Sequence, residues 1–312
     1  MATHTASLLL RSQDAAMDRP NTADRKGMAA SNRYDALMHL EFPPVRQAYT
    51  ERDTILYALG VGAGDGAPGT DLDFLDERRL VALPTMAAVL ASPGFWFRDI
   101  APDLDHVRTV HASQRIELHA PLPVAATVEA RTRVAAIYDK GAGRGSLVAS
   151  ERTIRTVETG MALASVRHTA FCRGDGGLGG PLLDSPESHR LPERMPDATI
   201  EMTISSRAGL IYRLSGDLNP LHLDPQTAAE AGFPAPIFHG LGTYGHIGRA
   251  IIGSTLAAGE TIRMMDCRFV GFVLPGETLA IDLWRDGADI GFRASTDRGR
   301  VIDNGLAALG RF

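Results

Sequence analysis

The sequence predicts an α+β fold built twice, each half an antiparallel strand meander wrapped around one long central helix. Three observations carry this reading. Both halves run helix, longer helix, then strands; a Gly- and Pro-rich segment, 173–196, separates them; and the second long helical run carries Gly240, Gly242, Gly245, Gly248 and Ala250. A glycine costs roughly 1 kcal/mol against alanine inside a helix, so four of them point to tight wrapping by neighbouring elements. A dinucleotide-binding βαβ arrangement is excluded, because Gly60-Val61-Gly62-Ala63-Gly64 follows a helix rather than a strand.

Taken in order, residues 1–32 mix Ser, Thr, Asp, Arg and Pro around Leu8-Leu9-Leu10, too short a run for a signal-peptide core. They read as a disordered tail or an upstream start, with Met28 the true one. The first half then occupies 33–172 and the second 197–312. From Tyr49 to Gly60 apolar residues recur at three and four, the helical period. A second helical run, Leu83–Leu90, is broken by Pro93-Gly94. Strands follow at Gln114–Leu118, Thr127–Tyr138, Leu147–Thr156 and Gly160–Ala170, with a glycine-rich hairpin turn after Lys140. In the second half a strand at Ala198–Ser205 precedes a compact motif region. A helix over Gly240–Ala257 comes next, then strands at Thr261–Val270, Glu277–Arg285, Asp289–Ser295 and Val301–Leu309.

Composition narrows the function. With 32 basic and 37 acidic side chains the net charge is −5, which lacks the basic excess of a nucleic-acid protein. Two cysteines, Cys172 and Cys267, exclude a disulfide scaffold and a four-cysteine metal knot. No run approaches the ~18 apolar residues of a membrane helix. The cytoplasm is the default location. Lys26 and Lys140 are the only lysines, so an anionic ligand has to be met by arginine, histidine or backbone amides.

The chemistry concentrates between Tyr212 and His246. In Asp217-Leu218-Asn219-Pro220-Leu221-His222, the turn at Asn219-Pro220 brings a carboxylate and an imidazole to two sides of one small space. Both then address the same water, as general acid–base catalysis requires. Asp217 and His222 also make a possible metal pair, with Asp224, His239 or His246 as third ligand. Asp224 before Pro225 is better used as a helix cap, and the spacing matches no zinc signature. Downstream, Phe238-His239-Gly240-Leu241-Gly242 opens the long helix. A glycine amide at a helix N-terminus suits the negative charge that develops on a carbonyl oxygen. Together these pieces fit addition of water to a carbonyl-activated double bond, or its removal. His246 reads as a wall residue.

At these residues the chain resembles the MaoC-like hydratase family, specifically the two-hotdog (R)-specific enoyl-CoA hydratases, or hydratase 2. The run Ser215-Gly216-Asp217-x-Asn219-Pro220-Leu221-His222-x-Asp224-Pro225 matches the family's hydratase motif. Tyr57-Ala58-Leu59-Gly60-Val61-Gly62, Leu83-Pro84-Thr85 and Arg268-Phe269 to Leu279 add to the match, over roughly Tyr34–Leu309. The resemblance implies a double hotdog fold and hydration of trans-2-enoyl-CoA to (3R)-3-hydroxyacyl-CoA. Asp217 and His222 take the catalytic places, Asn219 helps position them, and the Gly240 amide holds the thioester oxygen. His239, Leu241, Gly242 and His111 are expected at the substrate, with Arg268 and Arg249 as candidates for the CoA phosphates. The motif Tyr49–Asp53 reads as the first-half counterpart of Tyr212–Asp217, without the histidine. The first half is then non-catalytic, and its loops at 60–76 and 91–100 shape the acyl-chain tunnel. The family often has cysteine where Gly242 stands and Gly-Glu where Ala112-Ser113 stand.

No metal and no redox cofactor are implied, since CoA is part of the substrate. The expected partners are the acyl-CoA thioester, a second copy of the chain, and a separate (3R)-hydroxyacyl-CoA dehydrogenase or other consumer of the product; nucleic acid and membrane are not among them. Two alternatives stand beside the hydratase: a hotdog thioesterase using the same pair to activate water at the carbonyl, and a non-catalytic acyl-CoA-binding subunit.

Overall fold

The computed structural model describes residues 30–312 apart from 68, 102, 182, 186, 257 and 258. The tail expected over 1–32, and Met28 as its start, lie outside the described residues up to residue 29; helix α1 begins at Ala30 (Ala30–Met38). In the first half, β1 (Val45–Tyr49) leads into α2 (Glu51–Gly60), then the short helix α3 (Trp96–Asp99). The strands β2 (Thr109–Leu118), β3 (Ala126–Asp139), β4 (Ser146–Thr156) and β5 (Ala162–Cys172) follow. In the second half come β6 (Ala198–Thr203), α4 (Ala208–Tyr212), α5 (Pro225–Glu230) and α6 (Gly240–Thr255). The strands β7 (Thr261–Phe269), β8 (Thr278–Asp286), β9 (Asp289–Thr296) and β10 (Gly299–Gly310) complete the chain.

All ten strands form one sheet, ordered β1-β3-β4-β5-β2-β7-β10-β9-β8-β6. Each half therefore has the same order, its first strand on the outer edge and its second at the centre. The two centres, β2 and β7, pair antiparallel from Ser113↔Arg268 to Glu117↔Met264 and make the sheet continuous. This is a double hotdog fold. Ile116, Ile262, Met265 and Cys267 are buried at that seam.

The repeat also aligns the halves residue by residue. Tyr49 ends β1, so it does not occupy the place of Tyr212. The residue that does is Tyr57, which like Tyr212 lies in the first helix after the half's edge strand. The two rings pack together at 5.9 Å across the boundary. Counting on from these tyrosines puts Gly62 where the second half has Asp217. The first half thus lacks both the acid and the histidine.

The halves differ most at their centres. The helix expected over Leu83–Leu90 is only a 3₁₀ turn, Pro84–Ala88. Its continuation is intercepted by side chains. Arg152 Nη2 donates to the carbonyls of Ala87 and Ala88 at 3.2 and 2.7 Å, and the Ala91 amide donates to Gln47 Oε1 at 2.5 Å. Those groups would have served a further helical turn. Ala91 also takes a left-handed backbone, φ +46°, which an L-residue adopts only singly.

Among the described residues only α6 is long, and the first half packs onto its glycines. A Cβ at Gly245 would lie 2.4 Å from Val61 Cγ1, and one at Gly248 would lie 2.6 Å from Thr85 Cγ2. These positions are one turn apart on one face, so the stripe is where the two halves meet. Next to the stripe, Tyr244 Oη donates to the Met265 carbonyl at 2.6 Å. Gly245→Ala is therefore expected to destabilise the protein by about 1–3 kcal/mol through overpacking. Gly253→Ala, in the same helix with nothing within 4 Å of the new methyl, should stabilise it by up to about 1 kcal/mol. Urea unfolding of the two variants checks this; equal effects would contradict the packing assignment.

Candidate active site

The motif loop folds through its own backbone amides. Asn219 caps the turn Pro220–His222, its Oδ1 accepting from the Leu221 amide at 3.0 Å. The Asn219 amide donates to Asp217 Oδ1 at 3.2 Å. Asp224 caps α5 through the amides of Gln226 and Thr227, which assigns it the structural place expected for it. The turn leaves Asp217 Oδ2 3.9 Å from His222 Nε2. That is too long for a direct hydrogen bond, yet one water at about 2.8 Å from each atom can bridge them.

The histidine's tautomer follows from its partner. His222 Nδ1 lies 2.8 Å from the Ile237 carbonyl, an acceptor only, so Nδ1 carries the hydrogen and Nε2 turns a lone pair toward Asp217. Burial, outweighing the neighbouring carboxylate, lowers the pKa of His222 and keeps it a neutral base at pH 7. The carbonyl is placed by the next residue, whose amide donates to Val273 at 2.7 Å in an isolated bridge.

His239 lies behind the pair. Its ring stacks on His222 at 3.7 Å and 27°, and its Nε2 donates to the Asp217 carbonyl at 3.2 Å. Tyr212 covers the other side at 4.9 Å. The ring is buried and supports the motif loop through its bond to the Asp217 carbonyl. Burial and then His222 lower its pKa to about 4. Among the described residues, Asp217, His222 and His239 also have ligand-type atoms within 4.8 Å of one another. A metal does not suit this set: in nearly parallel stacked rings the in-plane lone pairs run side by side instead of converging on one point.

Gly240 follows His239 and opens α6. No side chain caps this helix, so the Gly240 and Leu241 amides, in its first turn, have no intrahelical acceptor and sit at the positive dipole end. Phe269 covers Gly240, 3.3 Å from where its Cβ would be. Leu241 packs against the core. Gly242 lies under Phe238, whose ring would be 2.3 Å from a Cβ there, and its carbonyl accepts from His246 Nδ1. His246 is fully buried, the wall residue expected.

Three expected substrate contacts are not brought to the pair. Arg249 is half-buried two and a half turns along α6, with Nη1 on Asp71 Oδ2 at 2.8 Å and Nε on the Val61 carbonyl at 3.2 Å. It ties the 60–76 loop to the helix. Met265, Cys267 and Phe269 face the core, so strand alternation turns Arg268 to the outer face of the sheet. His111 is separated from Gly240 by Phe269, which its ring meets at 4.4 Å. Sequence reasoning missed the Ile237 carbonyl and the Tyr212 ring; a backbone acceptor and a core tyrosine carry no motif signal.

Residues 187–304 match the MaoC like domain and residues 47–174 the MFE-2 hydratase 2 N-terminal domain. The chain is 40% identical over 261 residues to a Mycobacterium tuberculosis protein named enoyl-CoA hydratase ChsH3, covering 81% of this chain and 89% of that one. It is 43% identical over 250 residues to 3-hydroxyacyl-thioester dehydratase Y of the same organism, covering 78% and 84%. The crystal structure of a MaoC-like dehydratase from Phytophthora capsici superposes with a TM-score of 0.78 at 26% identity, covering 89% of this chain and 99% of that one. The chain belongs to the MaoC-like dehydratase family, in its hydratase 2 branch.

The buried histidines set a pH dependence of stability. Burial lowers His168, His239 and His246 to about 4, against about 6.5 in the unfolded chain. Between these values the unfolded state binds more protons. Stability is therefore complete above pH ~6.5 and falls toward pH 4, by up to about 1.4 kcal/mol per pH unit for each such histidine. Urea midpoints measured from pH 7 to 5 should fall steadily; a flat profile would contradict the neutral, buried state of these rings.

Proposed function

We propose that this chain reversibly hydrates trans-2-enoyl-CoA to (3R)-3-hydroxyacyl-CoA. The observation that carries the reading is the Asp217–His222 pair at 3.9 Å, beside an α6 whose N-terminus carries no side-chain cap among the described residues. The names of the relatives, an enoyl-CoA hydratase and a 3-hydroxyacyl-thioester dehydratase, describe the two directions of one reaction and support it.

In this reading the water donates one hydrogen to His222 Nε2 and the other to Asp217 Oδ2. Its oxygen bonds to C3 of the enoyl thioester as one proton passes to the pair. The electron pair of the double bond moves toward the thioester carbonyl, whose oxygen gains charge against the Gly240 N–H. The pair then delivers a proton to C2, so H and OH have been added and the pair is restored. Reversal of the same steps dehydrates the product. Asn219 holds the turn that sets the separation. The reaction requires no metal or redox cofactor. The same reading has two copies of the chain pairing, a cytoplasmic location, and a product passed to a (3R)-hydroxyacyl-CoA dehydrogenase or another consumer.

Loss of the enoyl-thioester absorbance measures turnover, with released thiol followed in parallel. Asp217→Asn and His222→Ala are each expected to lower kcat by about 10²–10⁴, the range typical of general acid–base groups; at pH 7 the unfolding midpoint should be unchanged in Asp217→Asn and lowered in His222→Ala, which loses the bond to the Ile237 carbonyl. Thiol release abolished by the same variants, without hydration, would assign the site to thioester hydrolysis instead. Tight acyl-CoA binding with neither reaction would make the chain a binder.

A further inference from the structure

Arg152 is a buried cation without an acid. It is 7% exposed, and among the described residues no carboxylate pairs with it. Its Nη2 meets the Ala87 and Ala88 carbonyls, while its Nε, also buried, has no partner. Two carbonyls leave a buried guanidinium undercompensated, since buried charges are ordinarily paired. Its polar surroundings on the core face are neutral. His168, diagonally across the β4–β5 pairing, is held neutral by burial and by Arg152 itself. Gln114 is buried on β2 beyond it.

The position of Arg152 relative to the active site follows from the sheet. Phe269 on β7 covers Gly240; His111 on β2 meets Phe269 at 4.4 Å; His168 on β5 meets His111 at 4.1 Å; and Arg152 stands on β4. These four residues cross four adjacent strands, from the α6 N-terminus into the first half. Three strand spacings, with Arg152 set three to four residues further along the strands through its register with Val166 and Ile116, make the span about 18 Å. The row runs under the 84–88 turn and Phe97, where the second half has a long helix and the first half does not.

We propose that Arg152 receives a carboxylate at the far end of the acyl chain, making ω-carboxy-trans-2-enoyl-CoA thioesters of medium length a favoured substrate class. This rests on the hydratase reading above for the orientation of the thioester at Gly240. The chain runs along the Phe269–His111–His168 row, and the terminal carboxylate supplies the charge that the protein itself does not.

The test compares matched trans-2-enoyl-CoA thioesters, with and without an ω-carboxyl group, over a series of chain lengths. The full chain is assayed beside Arg152→Met and Arg152→Lys. Wild type is expected to favour the carboxylated member by about tenfold or more in kcat/KM at one chain length, the worth of one hydrogen-bonded buried charge pair. Arg152→Met should bring that ratio close to one, and Arg152→Lys should retain part of it. No wild-type preference at any length, or a preference that survives Arg152→Met, overturns the proposal. If Arg152→Met does not fold, the wild-type ratio and the Arg152→Lys ratio decide it. Absence of hydration of every thioester would fail the hydratase reading instead. Calorimetric binding of the saturated ω-carboxy and plain acyl-CoAs then applies the same comparison to Arg152.

Discussion

The close contact between α6 and the first half is the constraint on which the rest of the structure depends. A continuous sheet of ten strands leaves one face to be covered, and a single long helix lies along it. Gly245 and Gly248 let Val61 and Thr85 approach that helix to distances that any side chain would forbid. The N-terminal end of α6 is thereby held where Phe269 from the central strand closes over Gly240. The cost of glycine in a helix is met by burial of the interface between the halves. The first half, with its own helix reduced to one 3₁₀ turn, has a cover of a different kind, tied down by Arg152 and Gln47.

From that anchored helix the site is assembled by short backbone connections. His239 precedes Gly240, stacks beneath His222 and donates to the Asp217 carbonyl, so one buried ring joins the acid, the base and the helix end. The Ile237 carbonyl selects the tautomer of His222. Burial then keeps both imidazoles neutral.

Much of the fold was legible because strand alternation and turn glycines are local signals. Eight strands fall within a few residues of their expected limits; β2 begins five residues before its expected start, and β1, five residues with Arg46 and Gln47 inside it, was hidden in the approach to α2. The Leu83–Leu90 run looked helical by composition; what stops it is Arg152 and Gln47, distant in sequence and without a local trace. The pair of Asp217 and His222 was readable because one turn of the chain brings them together. The surroundings of Arg249 and Arg268 were not legible for the opposite reason. Whether an arginine meets a ligand, an aspartate or solvent depends on which face and which neighbour it finds, and a long side chain gives no such sign in one sequence. The counterpart of Tyr212 was likewise recognised only once the sheet order paired the halves, at Tyr57.

The central claim is that one water is held between Asp217 and His222, on one side of the substrate. If the same pair supplies both the hydroxyl and the C2 proton, the two are added to the same face of the double bond. Hydration of crotonyl-CoA in deuterium oxide, stopped before the reverse reaction equilibrates the label, reads this directly from the relative configuration at C2 and C3 by proton NMR. The account predicts syn addition of deuterium and hydroxyl, with 3R configuration. Anti addition, or a C2 centre labelled without preference in the initial product, would contradict a single shared water.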